Sequence, residues 1–197
     1  MAPYPARGLR RTVLAVALLN LAYFGLEFGV ARAIGSVALF ADSIDFLEDG
    51  SVNLLILFAL GWSAPNRARL GVGLSLLLLV PGFAALWTAG SKLLHPLPPD
   101  PAPLSAVGLG ALGVNLLCAW LLVRYREHRG SLVRAAFLSA RNDALANLAI
   151  LAAALLTLAT LSAWPDLVVG LGIAALNAGA AAEVYRAARA ERHPAAP

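Results

Sequence analysis

The sequence predicts an all-α integral membrane protein, six transmembrane helices in a bundle with both termini cytoplasmic. Three observations predict it. The 197 residues are 60% hydrophobic and 13% charged, against about 45–50% apolar and about 25% charged in a soluble domain. Apolar stretches long enough to cross a bilayer core, which takes about 20 residues each, recur along the whole chain, and mean hydropathy is +0.76. The basic residues gather in alternate breaks between those stretches. Six spans use most of the chain and leave only short loops, so residues 1–197 read as one transmembrane domain with no soluble domain.

The spans follow in order, about 12–33, 36–60, 69–92, 104–124, 134–158 and 164–187. Gly35-Ser36 separates the first two. Ser63-Ala64-Pro65-Asn66 ends the second, because Pro65 cannot continue a helix. Pro81 kinks the third, which membrane helices tolerate. The Pro-rich stretch from Pro96 to Pro103 is the loop before the fourth. Cys118 lies in an apolar run of the fourth span and reads as a small packing residue; a single cysteine allows no disulfide within the chain. Trp164-Pro165-Asp166 opens the sixth span, with proline in the first turn. Ala31-Arg32-Ala33 resembles a signal-peptide cleavage site, but the preceding stretch is too long and carries Asn20 and Glu27. It reads as a span.

The charges orient the bundle. Arg7, Arg10 and Arg11 precede span one; Arg67 and Arg69 follow span two; Arg124, Arg126, Arg129 and Arg134 lie between four and five; Arg186, Arg189 and Arg192 follow six. With six spans all of these fall on one side, and Arg32 and Lys92 on the other. The positive-inside rule places the rich side, and both termini, in the cytoplasm. The protein is expected in the cell membrane as a multi-pass chain. The net charge of +4 reflects this topology and gives no reason to expect nucleic acid.

The informative residues are the polar ones inside the spans. A carboxylate at a helix centre costs about 2.5–3.5 kcal/mol on insertion scales. Span two nevertheless carries Asp42, Asp45 and Asp49, and span five carries Asp143. At 100° per residue Asp42, Asp45, Asp49 and Asn53 fall within about 80° of one another. Ser139, Asp143 and Asn147 form a similar stripe, and Asn20 and Glu27 share a face of span one. Such stripes face protein or water, never lipid. Acids one turn apart repel when ionised, and a bound cation or shared protons remove the repulsion. Carboxylates on two facing helices can converge on a divalent metal. A shift of 94 residues lays Asp45, Asp49 and Asn53 on Ser139, Asp143 and Asn147, so the chain can be read as a 3+3 inverted repeat, an arrangement found in many transporters.

These residues resemble the cation diffusion facilitator family. The stretch from Gly35 to Asp49 resembles that family's second helix, and the stretch from Leu132 to Leu145 its fifth. Asn20, Glu27 and Asn115 also sit where the family often has them. The resemblance covers essentially all six spans. It implies that Asp45, Asp49 and Asp143 are metal ligands, with Ser139 standing where the family commonly has His or Asp. Water or Asn142 could then complete the set. It implies divalent-metal efflux in exchange for protons, as a homodimer. Asp42 is either a ligand on the approach to the site or a packing acid, and Asn53 and Asn147 lie in the surrounding shell with Asn20 and Glu27. The chain ends about ten residues after Arg186 and is expected to lack the cytoplasmic C-terminal domain of most members. Its fourth loop holds only His128, where the family is often His-rich.

Oxygen ligands favour hard cations, and they also accept zinc, iron(II), cobalt or cadmium alongside manganese. No prosthetic group is expected; the metal is cargo. Nor is an enzyme expected, because no span carries a histidine to pair with a nucleophile and no phosphate-binding loop is present. The alternative is a degenerate membrane partner that does not transport. An organic-cation carrier would want aromatic residues around the acids, and few flank them.

Overall fold

Gly35 ends the first helix in the left-handed region, at φ 65°, a conformation glycine reaches without steric cost. The Ser36 amide then donates back to the Ala31 carbonyl at 3.0 Å, closing a glycine-based helix cap. The chain reverses here, so the first two helices become antiparallel neighbours. The computed structural model describes residues 6–59, 83, 85–123 and 130–176, with the side chains of the 130–160 helix described from Asn142 onward.

Among the described residues there are six helices and no strand: α1 (Ala6–Ile34), α2 (Val37–Ala59), α3 (85–94), α4 (Pro101–Val123), α5 (Gly130–Thr160) and α6 (Trp164–Leu176). Among the described residues, three stretches are long and apolar enough to cross a membrane, Gly8–Ile34, Pro101–Val123 and Asn142–Thr160. α2 has the length, 23 residues, but carries Asp42, Asp45, Glu48 and Asp49. The break at 63–66, Pro81, the loop with His128 and the tail from 177 lie outside the described residues.

Helix starts differ from expectation in three places. α1 begins at Ala6 instead of 12, since no proline follows Pro5 there and the good helix formers Arg7, Leu9, Arg10 and Arg11 outweigh Gly8. α5 begins at Gly130 instead of 134. α4 takes in Pro101, Ala102 and Pro103, which the sequence placed in the loop. The reason is Asp100. Its Oδ1 accepts the Ala102 amide at 3.0 Å, which makes it the N-cap. Pro101 is then the first helical residue, where its missing N–H costs nothing.

Four helices close a ring: α1 packs on α2 and α4, and α5 packs on α2 and α4. The core inside it joins Ala31, Leu39, Phe40, Leu104, Val107, Ile150 and Ala154. Tyr23 stacks against Phe46 with ring centroids 4.9 Å apart and donates its hydroxyl proton to the Val107 carbonyl at 2.6 Å, tying α1 to α4. The outward faces carry exposed Leu14, Leu18, Leu116, Trp120 and Leu155, an apolar exterior that suits lipid.

α3 and α6 attach at the end where α2 begins. Asp166, fully buried in the first turn of α6, accepts from the Ser36 hydroxyl at 2.5 Å, the Val37 amide at 2.9 Å, the Ala38 amide at 3.2 Å and Lys92 Nζ at 2.8 Å. The first amides of a helix have no partner of their own, and a carboxylate there also meets the positive end of the helix dipole. Gly170, one turn further along α6, makes this approach possible. A Cβ on it would lie 2.5 Å from the Val37 carbonyl carbon.

Candidate cation-binding site

The packing of α2 on α5 brings the two polar stripes face to face. Asp49 and Asp143 meet with their carboxyls in hydrogen-bond contact. Asp45 is close enough to interact electrostatically with Asp143, and both feel Asp42. Asp45, Asp49 and Asp143 are half-buried, whereas Asp42 is fully buried. The acids of two helices far apart in sequence therefore share one interior region, as the stripes predicted. Two ionised carboxylates have only acceptors to offer each other, so the Asp49–Asp143 contact needs a proton or a cation between its oxygens.

The asparagines brace the stripes. Asn53 donates its side-chain amide to the Asp49 carbonyl and Asn147 donates to the Asp143 carbonyl, each at 2.8 Å. Asn20 does the same to Val16 at 3.0 Å. Each amide spends one N–H on the turn before it, and the three Oδ1 atoms stay buried without a donor. Unpartnered buried acceptors are costly, so these three helices give up stability to keep carbonyl oxygens in the interior. Asn53 and Asn147 thus make the same bond, each to the carbonyl of an aspartate one turn earlier.

A second acidic pair lies beside the first region. Glu27 of α1 and Asp42 of α2 are in side-chain contact, and both are fully buried. Asn147 stands next to Asp42. The sequence placed Glu27 and Asp42 on separate helices, and their pairing is set by the α1–α2 packing.

Cys118 was overlooked as a neighbour of the site. Its thiol, buried on α4, accepts weakly from the Asn20 amide at 3.9 Å and feels the charges of Asp49 and Asp143. The signal was its spacing from Asn115: three residues apart, they share the buried face of α4.

Ser139 sits on α5 one turn before Asp143, and its side chain is outside the described residues. Asn142 is exposed. Among the described residues no three His, Cys, Asp or Glu side chains converge closely enough to hold a metal ion. The carboxylates meet in pairs, Asp49 with Asp143 and Glu27 with Asp42.

No curated protein matches the chain. The family model of the cation efflux transmembrane domain matches it over residues 13–191, a span that includes every acid and asparagine described above. With that match over nearly the whole length, on a helical chain with apolar spans and an acidic interior, the protein belongs to the cation efflux family, whose members carry metal cations across membranes.

Proposed function

We propose that this chain is a divalent metal cation efflux transporter, a metal/proton antiporter that works by alternating access. The observation that carries the reading is the Asp49–Asp143 contact across the α2–α5 interface, with Asp45 beside it. In this reading Asp45, Asp49 and Asp143 are the ligands, and Ser139 or a water completes the set. Asn53 and Asn147 hold the helical turns that present them. A divalent ion draws the three carboxylates together from their paired arrangement and replaces the protons they share.

Proton coupling follows from the ligand chemistry. Carboxylates bind metal in their deprotonated form, so metal and protons compete for the same oxygens. A site that opens alternately to each face then releases metal on one side and takes up protons there. The positive-inside count supports cytoplasmic termini and six spans. A homodimer formed through the transmembrane helices is part of the proposal.

Metal uptake into inside-out vesicles tests it. Transport should require a pH gradient and vanish in Asp49→Ala. Wild-type uptake in that variant would overturn the reading. A second reading, a membrane partner that no longer transports, is favoured by two observations: no three potential ligands converge among the described residues, and the family's usual fourth position holds Ser139. Metal binding without movement in vesicles would support it.

A further inference from the structure

Glu27 and Asp42 are not needed as ligands for the proposed metal, yet they are the most deeply placed carboxyls in the ring. Both are 0% exposed. They touch across the α1–α2 interface, and none of their four carboxyl oxygens has a donor. An ionised carboxylate offers only acceptors. Two of them in contact without water would leave two uncompensated charges in a medium of low polarity.

The surrounding groups do not supply the missing donor. Tyr23, one turn before Glu27 on α1, has committed its hydroxyl proton to the Val107 carbonyl of α4. From α2 the facing group is Asp45, another acid. From α5, Asn147 lies beside Asp42, and Asp143 lies further along. Lys92, a buried cation of the described residues, is spent on Asp166. A single proton shared between the two carboxyls would make the contact favourable.

Asp42 also lies three residues before Asp45. On a helix that puts their Cβ atoms about 5–6 Å apart. A divalent cation held at Asp45 therefore sits beside the pair and stabilises it in its doubly ionised form.

We propose that Glu27 and Asp42 form a proton-binding site separate from Asp45, Asp49 and Asp143, holding one proton that leaves when a cation occupies those three. The pair goes from one negative charge to two as the proton passes to water, and the arriving dication compensates the change. One of the protons exchanged for metal is then carried outside the metal's own ligands. This rests on the metal-exchange reading above.

Infrared spectroscopy of the full-length protein in lipid vesicles, with and without zinc, tests it. The wild type should show a protonated-carboxyl band that fades as zinc binds. Glu27→Gln, which keeps the shape and one N–H for Asp42, should lack that part of the band while still binding one zinc. Asp42→Asn should lack it too. Asp49→Ala should keep the part of the band that Glu27→Gln removes, and that part should no longer respond to zinc. A band that is the same in wild type and both pair variants overturns the proposal, as does a band that persists when zinc is bound. Loss of a bound zinc in Glu27→Gln would make the pair a metal site and also overturn it. If the wild type binds no zinc, the metal reading falls with the release step, and the band difference between wild type and Glu27→Gln still decides whether the pair holds a proton.

Discussion

Lys92 and Asp166 form a buried ion pair, Nζ to Oδ2 at 2.8 Å, between the end of α3 and the start of α6. The same carboxylate caps the first turn of α2. Helix α2, which carries Asp42, Asp45 and Asp49, is thus fixed at one end by a charge that belongs to α6. Because all four of its bonds are made inside the protein, Asp166 has no lone pair free for a transported ion. Its role is to position α2.

Replacing Asp166 by Ala would strand Lys92, the Ser36 hydroxyl and the first two amides of α2 in the interior. Removing one partner of a buried pair costs about 3–5 kcal/mol. Asp166→Ala should therefore lower the thermal unfolding midpoint of the purified protein strongly, and Lys92→Met less, because the helix amides still compensate the acid. Equal midpoints for the wild type and Asp166→Ala would show that the capping carries no stability.

Gly170 faces the backbone of Val37 at a distance that leaves no room for a side chain. Backbone cannot yield as a flexible side chain does, so Gly170→Ala should push α6 away from α2. Overpacking of this kind costs about 1–3 kcal/mol. The variant should unfold at lower temperature, and Gly172→Ala, where the space is open, should not.

Ser139→His adds an imidazole one turn before Asp143. Imidazole suits zinc and copper better than manganese. In a titration against a panel of metals this variant should gain at least roughly tenfold in zinc affinity, equivalent to about 1.4 kcal/mol, with little change for manganese. An unchanged ranking would place position 139 away from the ion.

Metal affinity should rise with pH. Each proton displaced from a carboxyl by the metal makes the apparent affinity climb by up to roughly tenfold per pH unit while that group is protonated in the free protein. The sign is fixed: protonation stabilises the empty site and weakens binding as pH falls. Calorimetric titration at two pH values one unit apart checks it, and an affinity independent of pH would remove the basis for proton exchange.

Much of this was legible in the residues. The stripes on α2 and α5 were visible because carboxylates stand out in apolar helices and a period of 3.6 groups them on one face. The helix breaks followed from Gly35, Pro96 and Pro165. The start of α4 was missed because proline reads as loop until Asp100 is seen as its cap. The Glu27–Asp42 pair and the place of Cys118 could not be read, since periodicity fixes a residue's face on its own helix but not the partner across the interface. The bonds that Asp166 makes to the start of α2 could not be read for the same reason.

The sequence alone determined the class of environment and the helical period of the polar residues, because a bilayer leaves few ways to tolerate an acid, and the stretches around Asp45–Asp49 and Asp143 carried the family resemblance. Only the tertiary structure decided which carboxyls meet. That depends on how four helices close into a ring and on Asp166 holding the end of α2, contacts made between residues as far as 130 positions apart, which no local pattern encodes.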